Sequence, residues 1–494
     1  MRTSNSLKTV ALIALALSVG VSVGCSKSKR RNSASTVAPS TTAATNTNTN
    51  TAPVATAAPP PVAVVNPPPA APAPLTSALV ASWNLKEVLE VDMATGQVNN
   101  RWPTGDGPID MAHGLTETYV ANAMSQDVTV IDRLANNTSQ TIDISSTPIT
   151  GISFLSFLDN VLKPLVRPTG IVVTPNKQKI YTANLLNVVS IDAATKTPTK
   201  SILGLSSISL TGLISNPGQA LSNFMAAPVQ GLGMAKLAAT NQYVLATCMI
   251  TGKVMRIDAM TDRVVDYIDV GRAPLGIAIA RNKAYVACVL SQEIYVIDVA
   301  TGAVLTTIKA GMIPVDVAVN PNEDRIYVAN AVSGDITVID TMADQVVDTM
   351  PAGMAISQIF TQLGITLPSG SGGGIGGALN GFLQGFTGGM TNPASFGALI
   401  TGGGGGLLSP GNLINGLLSG FLAYAGINQA ALGGLNLPGI GIMSIGVSHS
   451  DEYICAGNAF MGQLALTEIA NKNVSTVSGL TGLGPVDIEP MWRR

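Results

Sequence analysis

The sequence predicts an all-β fold, a seven-bladed β-propeller of four-stranded blades, and three observations predict it. A short strand recurs seven times along the chain. Each copy leads into a second strand with period-two alternation, in most copies ending at an aspartate. The last strand-like segment is of the kind that opens a blade, so it is placed to complete the blade whose other strands come first.

The N-terminus carries Arg2 and Lys8, then an apolar run from Val10 to Gly24, then Cys25. A basic start, a short apolar stretch and small residues before a cut mark an export signal, and the run is short for a membrane span. Val23, Gly24 and Cys25 match the cleavage box of bacterial lipoprotein signals, which this segment resembles. The resemblance implies loss of residues 1–24 and lipidation of Cys25. Ordinary cleavage nearby, leaving a soluble periplasmic or secreted protein, is the alternative.

Residues 25–75 change to Ser, Thr, Ala, Asn and Pro after the basic cluster Lys27, Lys29, Arg30 and Arg31. Such a stretch buries too little apolar surface to offset its ordering entropy and reads as a disordered tether. A Pro-rich tether lets an anchored domain stand off from a membrane. The expected address is therefore the cell envelope, in the outer membrane facing the periplasm or the exterior, with the membrane contacted through the N-terminal lipid.

From residue 76 to 494 the repeat takes over. Tyr119-Val-Ala-Asn122, Tyr181-Thr-Ala-Asn184, Tyr285-Val-Ala-Cys288 and Tyr327-Val-Ala-Asn330 are versions of one strand. Further copies begin at Tyr243, Leu79 and Tyr453, the last with an extra residue and with Thr467 and Glu468 in place of aspartate. Tyr243, Tyr285 and Tyr327 are spaced 42 residues apart, the span of four short strands and their turns. Alternation such as Ile294-Tyr-Val-Ile-Asp298 puts one strand face into each contact between blades, so stacking builds a core that no blade has alone.

These copies resemble the YVTN family of β-propeller repeats, named for the strand that here reads YVAN or YTAN. The likeness covers roughly 78 to 494 apart from three insertions, and it transfers no catalytic residues, because the signature consists of scaffold positions. Inner strands are read at Pro274–Ile279 and Pro314–Val319, and the similar Pro485-Val-Asp-Ile-Glu-Pro490 is expected to close the ring.

The insertions, 152–166, 203–226 and 354–440, all fall between an outer strand and the next inner strand, so they should emerge on one face. The first carries Phe154, Leu158, Leu162 and Leu165 at helical spacing. From Thr349 through Ser448 there is no Asp, Glu, Lys, Arg or His. That segment, including a short apolar helix at Leu413 to Ala425, reads either as a cap folded onto the ring or as a contact face for a partner, a lipid-like ligand or the membrane.

Chemistry is sparse. Gly372, Gly374 and Gly377 satisfy G-x-G-x-x-G without a preceding strand or a following acid, a coincidence in a glycine tract. There is no C-x-x-C-H, P-loop, G-x-S-x-G or H-E-x-x-H. His113 and His449 both follow inner strands and read as rim residues rather than metal ligands. His113 with Asp106 and Asp110 is the one nearby polar cluster. Asp92, Asp192, Asp258 and Asp298 each precede a threonine by three residues, an Asx turn capping a hairpin, with a calcium role as a remote second. Cys248 and Cys288, from adjacent blades, could pair, whereas strand parity puts Cys288 and Cys455 on opposite faces; a small buried hydrophobe is the expected role of each.

Charged residues are only 11% and hydrophobic ones 46%, and 27 Lys and Arg meet 29 Asp and Glu without a basic stripe, which argues against nucleic acid. The expectation is an exported, lipid-anchored binding or scaffolding platform for a protein or cell-surface ligand, without enzyme activity, metal or cofactor. The rival is a periplasmic propeller enzyme or a subunit of a redox or lyase complex. Acids and a histidine converging at the channel mouth would favour the enzyme; an apolar capped face favours binding.

Overall fold

The computed structural model describes residues 77–147, 166–203, 230–352 (232 and 332 apart), 442–458, 463–477 and 485–490. These residues form seven antiparallel four-stranded sheets and contain no helix. In chain order the blades span 77–103, 108–143, 168–203, 234–269, 274–309, 314–351 and 442–477, numbered 1 to 7. Blade 1 takes its inner strand, Pro485–Pro490, from the C-terminus, where Ala78 pairs with Pro490 and Val80 with Ile488. The inner strand of blade 1 touches those of blades 7 and 2, which closes the ring. The fold is a seven-bladed β-propeller.

The third-to-fourth-strand turn shows why the repeat is so regular. Asp258 Oδ1 accepts the N–H groups of Met260 and Thr261, and Asp92, Asp132, Asp192 and Asp340 make the same pair of bonds. Four residues after each aspartate, or after Glu468 in blade 7, the backbone turns left-handed in every blade, at Gly96, Asn136, Lys196, Asp262, Gly302, Asp344 and Lys472. Glycine would adopt that conformation at least cost. The side chains found there instead reach the preceding blade: Tyr181 donates to Asp262 at 2.6 Å, Tyr285 donates to Asp344 at 2.6 Å, and Lys196 donates to the Tyr119 hydroxyl at 3.0 Å. Lys179 and Lys283 add ion pairs to the same two aspartates. The aspartates of the repeat thus act as hairpin caps, and those at the left-handed position as staples between blades.

The core is divided into seven apolar clusters, one at each contact between neighbouring blades. Strand parity sorts each second strand between two of them: Tyr285 and Ala287 face blade 6, while Ala284, Val286 and Cys288 face blade 4. Burial on both faces explains why the repeated strand is apolar throughout. Because each blade contributes half of two clusters, the ring is expected to unfold as a unit.

Inner strands run in one direction. The residues flanking the three insertions, 147 and 166, 203 and 230, and 352 and 442, lie at the end of the disc where these strands start. Ser77, where the described chain begins, and Pro490 lie at the other end. Leu203 still pairs with Asn187, and Val166 is buried in the contact between blades 2 and 3. The expected helices at Phe154 to Leu165 and Leu413 to Ala425, the glycines 372, 374 and 377, and Cys25 lie outside the described residues.

Candidate functional site at the propeller axis

The third residue of each inner strand lies at a register shift and stands at the same height around the axis. From blade 1 to blade 7 these residues are Asp487, Asp110, Gly170, Lys236, Gly276, Asp316 and Ser444. Three of them are aspartates, and each reaches sideways into the next blade. Asp487 Oδ2 accepts the Met111 N–H at 2.9 Å, Asp110 Oδ2 accepts the Ile171 N–H at 2.6 Å, and Asp316 Oδ2 accepts the Ile445 N–H at 3.1 Å. Where the residue is glycine, the neighbouring backbone comes closer instead: a Cβ on Gly276 would lie 2.7 Å from Asp316 Cα and 2.8 Å from Val315 O.

Lys236 differs from the other six. Its side chain crosses the axis and places Nζ 2.5 Å from Asp110 Oδ1 and 2.6 Å from Asp487 Oδ1. Burial alone would strip its proton, but the carboxylates of Asp110, Asp487 and Asp316 outweigh burial and hold the ammonium well above its ordinary range. Burial raises Asp110, with Lys236 and the Ile171 N–H pulling it back. Asp487 is pushed up to about 7, by burial and by Asp110, against the pull of Lys236. Two residues further along, the inner strands carry Ala112, Val172, Ala238, Ala278, Ala318 and Gly446, and in blade 1 Glu489. Burial and the neighbouring Asp487 raise the Glu489 carboxyl well above its usual range.

These groups line a cavity of about 350 Å3. Asp110, Lys236, Asp316 and Asp487 form its base, and its walls are Ile171, Ile277, Val317, Val319 and Val447. His113, Lys177, Asn320, Glu323 and His449 sit at its rim, on the face away from the roots of the insertions. A volume of this order suits a small molecule rather than a peptide.

The structure corrects the sequence reading of His113. It is the last residue of its inner strand and only 7% exposed, not a rim loop residue, because its Nδ1 hydrogen-bonds with Thr118 Oγ1 at 3.0 Å and Lys177 donates to its carbonyl at 2.8 Å. Asp106 does not join it: it precedes the strand, pairs with Lys86 at 2.5 Å, and lies roughly 20 Å away at 3.3 Å per residue. Asp110 is brought together with Asp487 and Lys236 instead. No sequence pattern marked Lys236, although alignment of the copies places it at the position where two other inner strands read Pro-Val-Asp.

The three described cysteines are free and buried, and burial raises each thiol to about 12. Cys248 faces blade 3 and Cys288 faces blade 4, so the body of blade 4 separates them. Cys288 and Cys455 face opposite ways along the ring, toward blade 4 and blade 1.

No family model matches the chain, and no curated protein matches it. Among solved structures, a functionally unknown protein from Desulfotomaculum acetoxidans is similar over 84% of this chain and 98% of its own, with 12% identity and a TM-score of 0.51. Hydrazine synthase from Kuenenia stuttgartiensis is similar over 57% of this chain and 85% of its own, with 16% identity and a TM-score of 0.42. The likeness to the Desulfotomaculum protein is one of fold.

Proposed function

We propose that this protein is an exported propeller of YVTN-type repeats, anchored in the bacterial cell envelope through a lipid on Cys25, that serves as a non-enzymatic binding platform. The observation that carries the reading is the placement of the insertion roots. All three lie on one face of a closed ring, and the longest insertion belongs to a run of a hundred residues without a charge. Long loops on a rigid scaffold are where binding residues concentrate. Ser77, the first described residue, lies on the opposite face, which suits a disc that presents the inserted face to a protein or surface ligand.

The test is a pull-down from membranes under mild detergent, comparing the intact protein with one in which 354–440 is replaced by a short Gly/Ser loop. A partner captured by the first and lost by a still-folded second supports the platform. An unchanged partner set removes the inserted face from the function.

A second reading, a propeller enzyme, is favoured by one observation: acids and His113 do converge on the axial cavity. Against it, Lys236 is held as an ammonium between two carboxylates and so is neither a nucleophile nor a base. Lactone hydrolysis or lyase turnover that disappears in Glu489→Gln would move the assignment to an enzyme.

A further inference from the structure

The outer strands of the ring are not alike. In blades 1 and 3 the residue seven past the hairpin aspartate is exposed and polar, Asn99 and Thr199. In the consecutive blades 4, 5 and 6 the same position carries Val265, Leu305 and Val347, each about half exposed. Two residues past the aspartate, or past Glu468 in blade 7, the hairpin turn carries alanine in blades 1, 3, 5 and 7, but Met260 in blade 4 and Met342 in blade 6, at 82% and 72% exposure. Blade 2 has Leu134 there, on the far side of the ring. Because polar residues serve at the same backbone positions elsewhere, the fold itself does not require these apolar ones.

Leu305 and Val346 line one cleft between the outer strands of blades 5 and 6, so the rim runs on from blade to blade. Surface hydrophobics that fall singly are ordinary, but a run of them over three neighbouring blades marks a contact. The rim lies at the end of the disc where the described chain begins, since Ser77 pairs with Asp92, the hairpin aspartate of blade 1. Residues 26–76 link Cys25 to that end. A flexible chain of such a length has an end-to-end distance of roughly 40 Å, which keeps this end of the disc within reach of a surface that holds Cys25.

We propose that the rim of blades 4 to 6 docks on the lipid surface in which Cys25 is anchored, with Met260, Leu305, Met342 and Val347 entering the headgroup layer. The choice of a lipid surface rests on the anchored reading above, because the link from Cys25 arrives at this end of the disc. The acids beside these side chains are already paired, Asp262 with Lys179, Asp266 with Arg256, Asp344 with Lys283 and Asp348 with Lys472, so the contact is apolar and strands no carboxylate. A lipid chain joined by a second contact holds a protein more firmly than a single chain does. Docking through one sector of the rim tilts the disc and leaves the inserted face turned away from the bilayer.

Two readouts keep the anchor and the rim apart. Mass spectrometry of the N-terminal peptide of the protein taken from cells reports acylation of Cys25. Flotation with phosphatidylcholine vesicles of the mature chain from residue 25 onward, carrying Cys25→Ser, reports the rim without the lipid. This protein should float, in low and in high salt alike. Met260→Gln, Leu305→Thr and Val347→Thr together, exposed substitutions that should leave the thermal melt unchanged, should cut the partition coefficient at least about tenfold. Leu134→Thr, across the ring, should leave it unaltered. No flotation, equal flotation of the triple variant, or flotation lost in high salt would overturn the docking. A rim-dependent dimer in sedimentation that binds no vesicle would overturn it too and give the rim to a second copy of the chain. Rim-dependent flotation with an unmodified Cys25 would support the docking and remove the lipid anchor instead.

Discussion

The ammonium of Lys236 lies 2.6 Å from a carboxylate oxygen of Asp487, a residue 251 positions further along the chain. The pair joins blade 4 to the strand that closes blade 1. Asp110 of blade 2 completes the contact. One side chain therefore ties three blades across the axis.

Lys236→Met should be strongly destabilising, because it leaves Asp110 and Asp487 buried without their cation. Breaking a buried ion pair from one side costs about 3–5 kcal/mol. Urea denaturation at pH 7 measures the loss, and adding Asp110→Asn and Asp487→Asn should recover much of it. A single variant as stable as the wild type would show that the cluster bears no strain.

Removing residues 485–494 should abolish cooperative melting. It exposes the edge of Ser77–Ser82 and takes Ile488 from the contact between blades 7 and 1. An open sheet edge is a template for aggregation. Light scattering on heating should rise, and a synthetic peptide of the last ten residues should lower it.

Gly276→Ala should cost about 1–3 kcal/mol, since its Cβ would press on the backbone of blade 6, which has no room to withdraw. At Gly252 the added Cβ meets no side chain, and alanine there should cost about 1 kcal/mol for the left-handed backbone at φ +67°. Thermal melts of the two variants should rank in that order.

Stability should fall as pH rises from about 4 to 7. In the folded state Asp487 keeps its proton up to about 7 and Glu489 holds its proton well above the usual range, whereas unfolded carboxyls release theirs near 4. A group with a raised folded value gives stability that is present below the unfolded value and lost as pH rises through the folded one. The exposed hairpin aspartates Asp192, Asp258 and Asp298 have depressed values, held down first by backbone N–H bonds, so their contribution disappears as pH falls below about 4. Tm should therefore peak on the acid side of neutrality. In Glu489→Gln the decline between pH 5 and 8 should be shallower, and an unchanged slope would remove Glu489 from the account.

Much of the fold was legible in single residues. The Tyr-Val-Ala-Asn strand, the aspartate three before threonine and the Pro485-Val-Asp487 strand each bear local signals, because hairpin caps and strand parity depend on neighbours in sequence. Seven copies set seven blades, and the surplus opening strand at the C-terminus set how the ring closes. The axial site was not legible in the same way. His113, Asp106 and Asp110 are close in sequence, but an extended strand carries Asp106 and His113 to opposite ends, while Asp110, Lys236, Asp316 and Asp487 come from four separate blades. Local spacing determines which residues occupy the third position of an inner strand; only closure of the ring decides which of those side chains meet across the axis, and burial there turns ordinary charges into a coupled cluster.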